Sequence, residues 1–129
     1  MSIELQMLGW SIVLGLAHVL IAATFATRQR GLAWNAGNRD RDVRPLDGIA
    51  ARTDRASRNF LETFPFFAAA LLAVIVADRD TTQTALAAQL YFWARLAYLP
   101  IYAAGIPYLR SAVWAVALAG IAMLVIALF

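Results

Sequence analysis

Residues 111–129 read SAVWAVALAGIAMLVIALF, an apolar run without a charged side chain. A helix of about 20 residues spans the roughly 30 Å hydrocarbon core of a bilayer. Three further segments of similar length are mainly apolar, and short polar stretches separate them. Lipid offers the backbone no hydrogen-bond partners, so each segment must be a helix or a barrel strand, and these segments are too long for strands. The pattern predicts an all-α integral membrane protein, a four-transmembrane-helix bundle.

The four predicted spans cover residues 3–27, 54–77, 82–104 and 107–129, so that 1–129 forms a single membrane domain. Hydrophobic residues make up 62% of the 129-residue chain, which is more than a soluble domain carries. Nothing basic precedes the first apolar run, and we therefore interpret that run as a retained helix rather than a cleaved signal peptide. The protein is thus expected to contact the lipid bilayer over most of its length.

One face of the first predicted span carries small or polar residues at intervals of three or four. These residues are Ser11, Gly15, His18 and Ala22. Small residues let helix backbones approach closely, so this face is expected to pack on a neighbouring helix. His18 is the only histidine, and we expect it to hydrogen-bond that neighbour rather than to bind a metal.

The basic residues are unevenly placed along the chain. All eleven are arginines, and eight of them lie between Arg28 and Arg58. Under the positive-inside rule this clustering predicts that the loop 28–53 is cytoplasmic, and four spans then place both termini on the opposite side. Nucleic acid is disfavoured as a partner because the chain has no soluble core to present a basic surface. The chain has no cysteine, which excludes disulfides and thiolate metal sites.

The second predicted span begins with a polar pattern that a plain membrane anchor does not need. In a helix, Arg55, Asn59 and Glu62 lie at i, i+4 and i+7 and form a stripe about 10 Å long. Arg58 precedes Glu62 by four residues and is expected to pair with it. Interfacial anchoring explains the arginines and one neutralising carboxylate, but it does not explain the amide. The stripe suits a zwitterionic, peptide-like ligand, with arginines on its carboxylates and Glu62 on its ammonium group.

Aromatic and basic residues follow near the same membrane side. Arg95, Tyr98 and Tyr102 share one face of the third span, and Arg110 opens the fourth. Such residues are common at membrane interfaces, which leaves simple anchoring as an alternative. A guanidinium at a helix N-terminus also lowers the pKa of a nearby thiol and makes the sulfur nucleophilic. Arg110 is therefore a candidate for stabilising a thiolate.

Two stretches together resemble a bacterial-type member of the MAPEG family, the membrane-associated proteins in eicosanoid and glutathione metabolism. They are Arg55-x-x-Arg58-Asn59-x-x-Glu62-Thr63-x-Pro65 and the region of Arg95, Tyr98, Tyr102 and Gly105-Ile106-Pro107-Tyr108-Leu109-Arg110-Ser111. The resemblance implies a homotrimer whose glutathione sites lie between subunits near the cytoplasmic side, with Arg28 or Arg30 also touching the ligand. It implies that Arg110 is catalytic, and that glutathione is bound by Arg55, Arg58, Asn59, Glu62, Tyr98, Tyr102 and Ser111.

Two functions fit this pattern best. The first is a glutathione-dependent transferase or peroxidase that activates the thiolate and attacks a lipophilic small molecule dissolved in the bilayer, without a metal. The second is a non-catalytic membrane binding or scaffold protein of the same fold. A small four-helix exporter is a third possibility, but it would need a carboxylate at mid-membrane on the first span. The carboxylate of that span, Glu4, lies at its edge instead.

Overall fold

The computed structural model describes residues 1–129 and contains helices and loops without any strand. Its helices are α1 (Ile3–Arg30), α2 (Leu32–Ala36), α3 (Gly48–Val76), α4 (Thr82–Ala103) and α5 (Pro107–Ala127). The predicted all-α fold is confirmed. The helix that contains the second predicted span starts before residue 54, because α3 continues back through residues 48–53, which are mostly helix-compatible and lie before the apolar part.

The ends of the long helices follow from local side chains. Ser2 caps α1 by accepting a hydrogen bond from the amide of Leu5. Thr81 and Thr84 form a reciprocal capping box at the start of α4. Gly105 adopts φ 79°, which glycine tolerates, and this turn brings the chain from α4 into α5.

The four long helices alternate in direction. At one end, Thr84 near the start of α4 donates to Glu4 near the start of α1, at 2.9 Å between Oγ1 and Oε1. At the other end, Nε of Arg52 near the start of α3 donates to the carbonyl oxygen of Ala103, the last residue of α4, at 2.9 Å. This second end, which we call the basic end, collects the end of α1 and the starts of α3 and α5.

The small-residue face of α1 packs inside the chain, as predicted. Ser11, His18 and Ala22 are buried, and Gly15 lies against the ring of Phe60 on α3. The expected interhelical hydrogen bond of His18 is wrong. Its ring stacks on Phe60 with centroids 4.9 Å apart, and neither ring nitrogen has a hydrogen-bond partner. A flat aromatic neighbour in contact with the imidazole ring takes the place of a polar one.

Three helices, α1, α3 and α5, are long and apolar enough to cross a membrane. Large apolar side chains such as Leu20, Phe66 and Ile126 are exposed on their outer surfaces. α4 has 22 residues but is not one of these three, and its apolar run is interrupted by Arg95 and Gln89 among other polar residues. It packs against α1, α3 and α5, and this central position turns its arginine inward.

The backbones of α4 and α5 lie close together at Gly120, and this contact gives a stability prediction. A Cβ atom at this position would lie 2.6 Å from the carbonyl oxygen of Ala87 and 3.2 Å from the amide nitrogen of Tyr91. Both are backbone atoms, so no side-chain rotation relieves the clash. We expect Gly120→Ala to destabilise the fold by about 1–3 kcal/mol in detergent. Thermal unfolding followed by circular dichroism measures this loss.

The matched control is Gly9→Ala on α1, where an added Cβ would meet nothing within 4 Å. Because alanine has a higher helix propensity than glycine, the free energy of unfolding of this variant should be unchanged or higher by about 0.5–1 kcal/mol. Indistinguishable melting temperatures for the two variants would contradict the close contact at Gly120.

Candidate ligand-binding cleft at the basic end

Seven side chains from α3, α4 and α5 line one cleft of about 250 Å³ at the basic end. They are Arg55, Arg58, Asn59, Glu62, Tyr98, Tyr102 and Arg110. All seven are residues that the sequence singled out as ligand-binding or catalytic. The eighth, Ser111, is exposed on α5 beside Arg110 and does not line the cleft, so its role stays a prediction.

The stripe on α3 forms as the helical spacing predicts, but its ion pairing differs. Nε of Arg58 lies 3.2 Å from Oδ2 of Asp54, one turn earlier, so the expected pairing with Glu62 is wrong. Asp54 and Glu62 both lie four residues from Arg58 along the helix, and the structure pairs Arg58 with Asp54. Glu62 is exposed and forms no salt bridge within the chain. The cleft therefore holds a carboxylate that is free to accept a cationic group.

Tyr102 joins the three helices of the cleft. Nε of Arg55 donates to its hydroxyl oxygen at 2.9 Å, and the Arg110 guanidinium carbon lies 4.9 Å from its ring centroid. The ring of Tyr98 lies beside it, with centroids 5.5 Å apart. Cation–π contact and the hydrogen bond hold the tyrosine against α3 and α5. These contacts fix the arginines at the wall of the cleft.

Arg95 is the residue that sequence reasoning did not assign to the site. It is fully buried behind the cleft, and its Nη1 donates to Oδ1 of Asn59 at 2.7 Å. Its guanidinium carbon lies 4.2 Å from the ring centroid of Tyr98, while Nε and Nη2 have no partner. The available signal was a lone arginine within an apolar helix, which is costly in a membrane and marks a functional position.

The charges around the cleft are unbalanced. Four guanidinium groups lie at or behind the cleft, those of Arg55, Arg58, Arg95 and Arg110. The neighbouring carboxylates are those of Asp54 and Glu62, so the formal net charge of the site has an excess of two positive charges. Near a low-dielectric membrane interior such an excess attracts anions more strongly than it does in water. The arrangement fits an anionic ligand that also carries one ammonium group.

A second cavity of about 600 Å³ lies between α1 and α3 and shares Arg55 and Arg58 with the cleft. Arg30 lines it, with its guanidinium carbon 4.7 Å from the ring centroid of Trp34. Arg28 points elsewhere and lies over the ring of Phe25 at 5.6 Å. Both arginines lie in the last turn of α1, and of the two only Arg30 shares a cavity with cleft residues.

No group of three or more His, Cys, Asp or Glu side chains is placed to hold a metal ion.

In the comparison with known protein families, the model of the MAPEG family matches residues 7–129 of the chain. No curated protein matches the chain. The matched range includes every residue of the cleft.

Proposed function

Because the chain belongs to the MAPEG family, and is thereby an integral membrane protein, we propose that it is a glutathione-dependent transferase or peroxidase acting on lipophilic electrophiles. The observation that carries this proposal is the convergence of the seven cleft residues from three helices. Glutathione with an ionised thiol has two net negative charges, from two carboxylates, one thiolate and one ammonium group. That charge complements the two positive charges around the cleft.

The binding roles follow from the chemistry of each side chain. Arg55 and Arg58 bind the carboxylates of the tripeptide, since guanidinium groups present paired donors to such anions. Glu62, which has no partner in the chain, receives the ammonium group. Asn59 contributes a neutral amide, and the rings of Tyr98 and Tyr102 line the bound ligand.

Arg110 is the proposed catalytic residue. It lies in the first turn of α5, where the helix dipole adds positive potential, and its side chain lines the cleft. Both effects favour the thiolate over the thiol and lower the thiol pKa of bound glutathione. In a conjugation the thiol proton leaves to water, the sulfur lone pair forms an S–C bond, and the leaving group departs with its electrons.

A conjugation assay tests this function against the non-catalytic alternative. Purified protein with glutathione and an aryl halide such as 1-chloro-2,4-dinitrobenzene should form conjugate faster than the solution reaction. Glutathione binding without any turnover of aryl halides, epoxides or hydroperoxides would instead favour a membrane binding or scaffold protein of this fold.

We also propose that all four long helices cross the bilayer, with the segment 28–53 on the cytoplasmic side. The alternating helix directions and the central position of α4 support four crossings. The chain has no cysteine, so single cysteines can be introduced at Asn38 and Asp80, which are exposed in different loops. An impermeant thiol reagent should label them from opposite sides, with Asn38 cytoplasmic. Labelling of both from the same side would contradict four spans.

The proposed assembly is a homotrimer with glutathione between subunits, as family membership suggests. The small-residue face of α1 does not supply the subunit contact, because it packs on the chain's own helices. The exposure of Arg55 and Arg58 leaves the cleft open to a neighbouring subunit. Native mass spectrometry should show threefold stoichiometry. A monomer or dimer as the sole stable species would remove the intersubunit site and leave a site within one chain.

A further inference from the structure

Arg95 is the most deeply buried charged side chain in the bundle. Its guanidinium is fully buried and has one hydrogen-bond partner and no carboxylate. A buried charge without a counterion is destabilising, and a protein with an apolar residue of similar volume at this position is usually at least as stable. Stability of the fold alone therefore does not explain an arginine here.

The hydrogen bond of Arg95 determines which atoms Asn59 presents to the cleft. A guanidinium only donates, so the Asn59 atom that faces it must be the carbonyl oxygen Oδ1. The amide nitrogen Nδ2 makes no hydrogen bond within the chain, although Asn59 lines the cleft. Both N–H groups are thus available to a ligand acceptor. Without Arg95 the amide is free to rotate and to present its oxygen instead.

We propose that Arg95 is a positioning residue, which holds the Asn59 amide so that Nδ2 donates to a carboxylate or carbonyl oxygen of bound glutathione. This inference rests on the proposed function, since it concerns the same cleft. Arg95 acts from behind through Asn59 and through the ring of Tyr98, 4.2 Å from its guanidinium carbon, and does not itself line the cleft.

Asn59→Asp is the most direct test, because it keeps the partner of Arg95 and changes only what faces the cleft. One carboxylate oxygen accepts from Arg95, and the other replaces Nδ2. Thermal stability in detergent should stay equal or rise, since the guanidinium gains a counterion. The glutathione Kd should rise by roughly 10- to 100-fold, because an acceptor oxygen now meets an acceptor on the ligand.

Arg95→Met and Arg95→Lys test the arginine itself. Methionine fills similar space without a donor, so the glutathione Kd and KM should rise roughly tenfold with kcat little changed. Lysine keeps a donor for Oδ1 and should recover most of that affinity. If Arg95 acts through Asn59, then Arg95→Met should add little to the Kd of an Asn59→Leu variant. Should Arg95→Met fail to fold, Asn59→Asp and Arg95→Lys still decide the matter.

Wild-type affinity for glutathione in a folded Asn59→Asp or Arg95→Met variant would overturn the positioning role while leaving the proposed function intact. Equal weakening by Arg95→Lys and Arg95→Met, with effects fully additive to those of substitutions at Asn59, would also overturn it, by showing that Arg95 does not act through Asn59. If the wild-type protein itself binds no glutathione, the proposed function fails and this inference fails with it.

Discussion

Arg110→Ala is expected to lower kcat for glutathione conjugation by roughly 10- to 1000-fold, similar to the loss of one oxyanion-hole donor. Arg110 lines the cleft from the first turn of α5, and its guanidinium carbon lies 4.9 Å from the Tyr102 ring. Its charge stabilises the thiolate more than the neutral thiol, so the pKa of the bound thiol should rise in the variant. Ground-state affinity should change much less.

The thiolate absorbance of bound glutathione, recorded against pH, measures that pKa in wild type and variant. Arg79→Ala, at an exposed arginine just after α3 and at the opposite end of the bundle, serves as the matched control. An unchanged thiol pKa together with unchanged kcat in Arg110→Ala would exclude Arg110 as the activator. Absence of a thiolate signal in wild type would favour the non-catalytic function.

Glu62→Gln is expected to raise the glutathione Kd by roughly 10- to 100-fold, the range for losing a hydrogen bond to a charged group. The reason is that Glu62 forms no salt bridge in the chain, and its carboxylate is free for the ligand's ammonium group. The thiol pKa of bound glutathione should change little. Isothermal titration calorimetry in detergent measures the affinity.

A glutathione analogue without its amino group provides the control for Glu62. This analogue should bind wild type weakly and should bind Glu62→Gln with nearly the same affinity, because the interaction is already absent. If Glu62→Gln weakens both ligands equally, the carboxylate supports the cleft in another way and does not receive the ammonium group.

The sequence predicted features that depend on local periodicity. The positions of Arg55, Asn59 and Glu62 on one face follow from 3.6 residues per turn, and the structure places them in one cleft. The four long helices coincide with the mainly apolar runs, with α3 starting earlier, and three of them, α1, α3 and α5, are long and apolar enough to cross a membrane. Arg110 lines the same cleft because a short turn at Gly105 brings the start of α5 beside the end of α4.

The sequence alone could not predict which of several possible side chains each polar residue contacts. Arg58 has an acidic residue four positions away on either side, and only the helix geometry selects Asp54. The partner of His18 is the ring of Phe60, which lies on another helix and is apolar. The bond from Arg95 to Asn59 likewise joins α4 to α3. These contacts arise from tertiary packing, for which no spacing along the chain gives a signal.

The central claim is that the cleft at the basic end binds glutathione, and calorimetric titration of the purified protein in detergent tests it most directly. The account predicts saturable binding to wild type and a strongly reduced affinity in an Arg55→Gln, Glu62→Gln double variant that unfolds at the wild-type temperature. No binding at millimolar glutathione, or equal binding by wild type and the double variant, would contradict it.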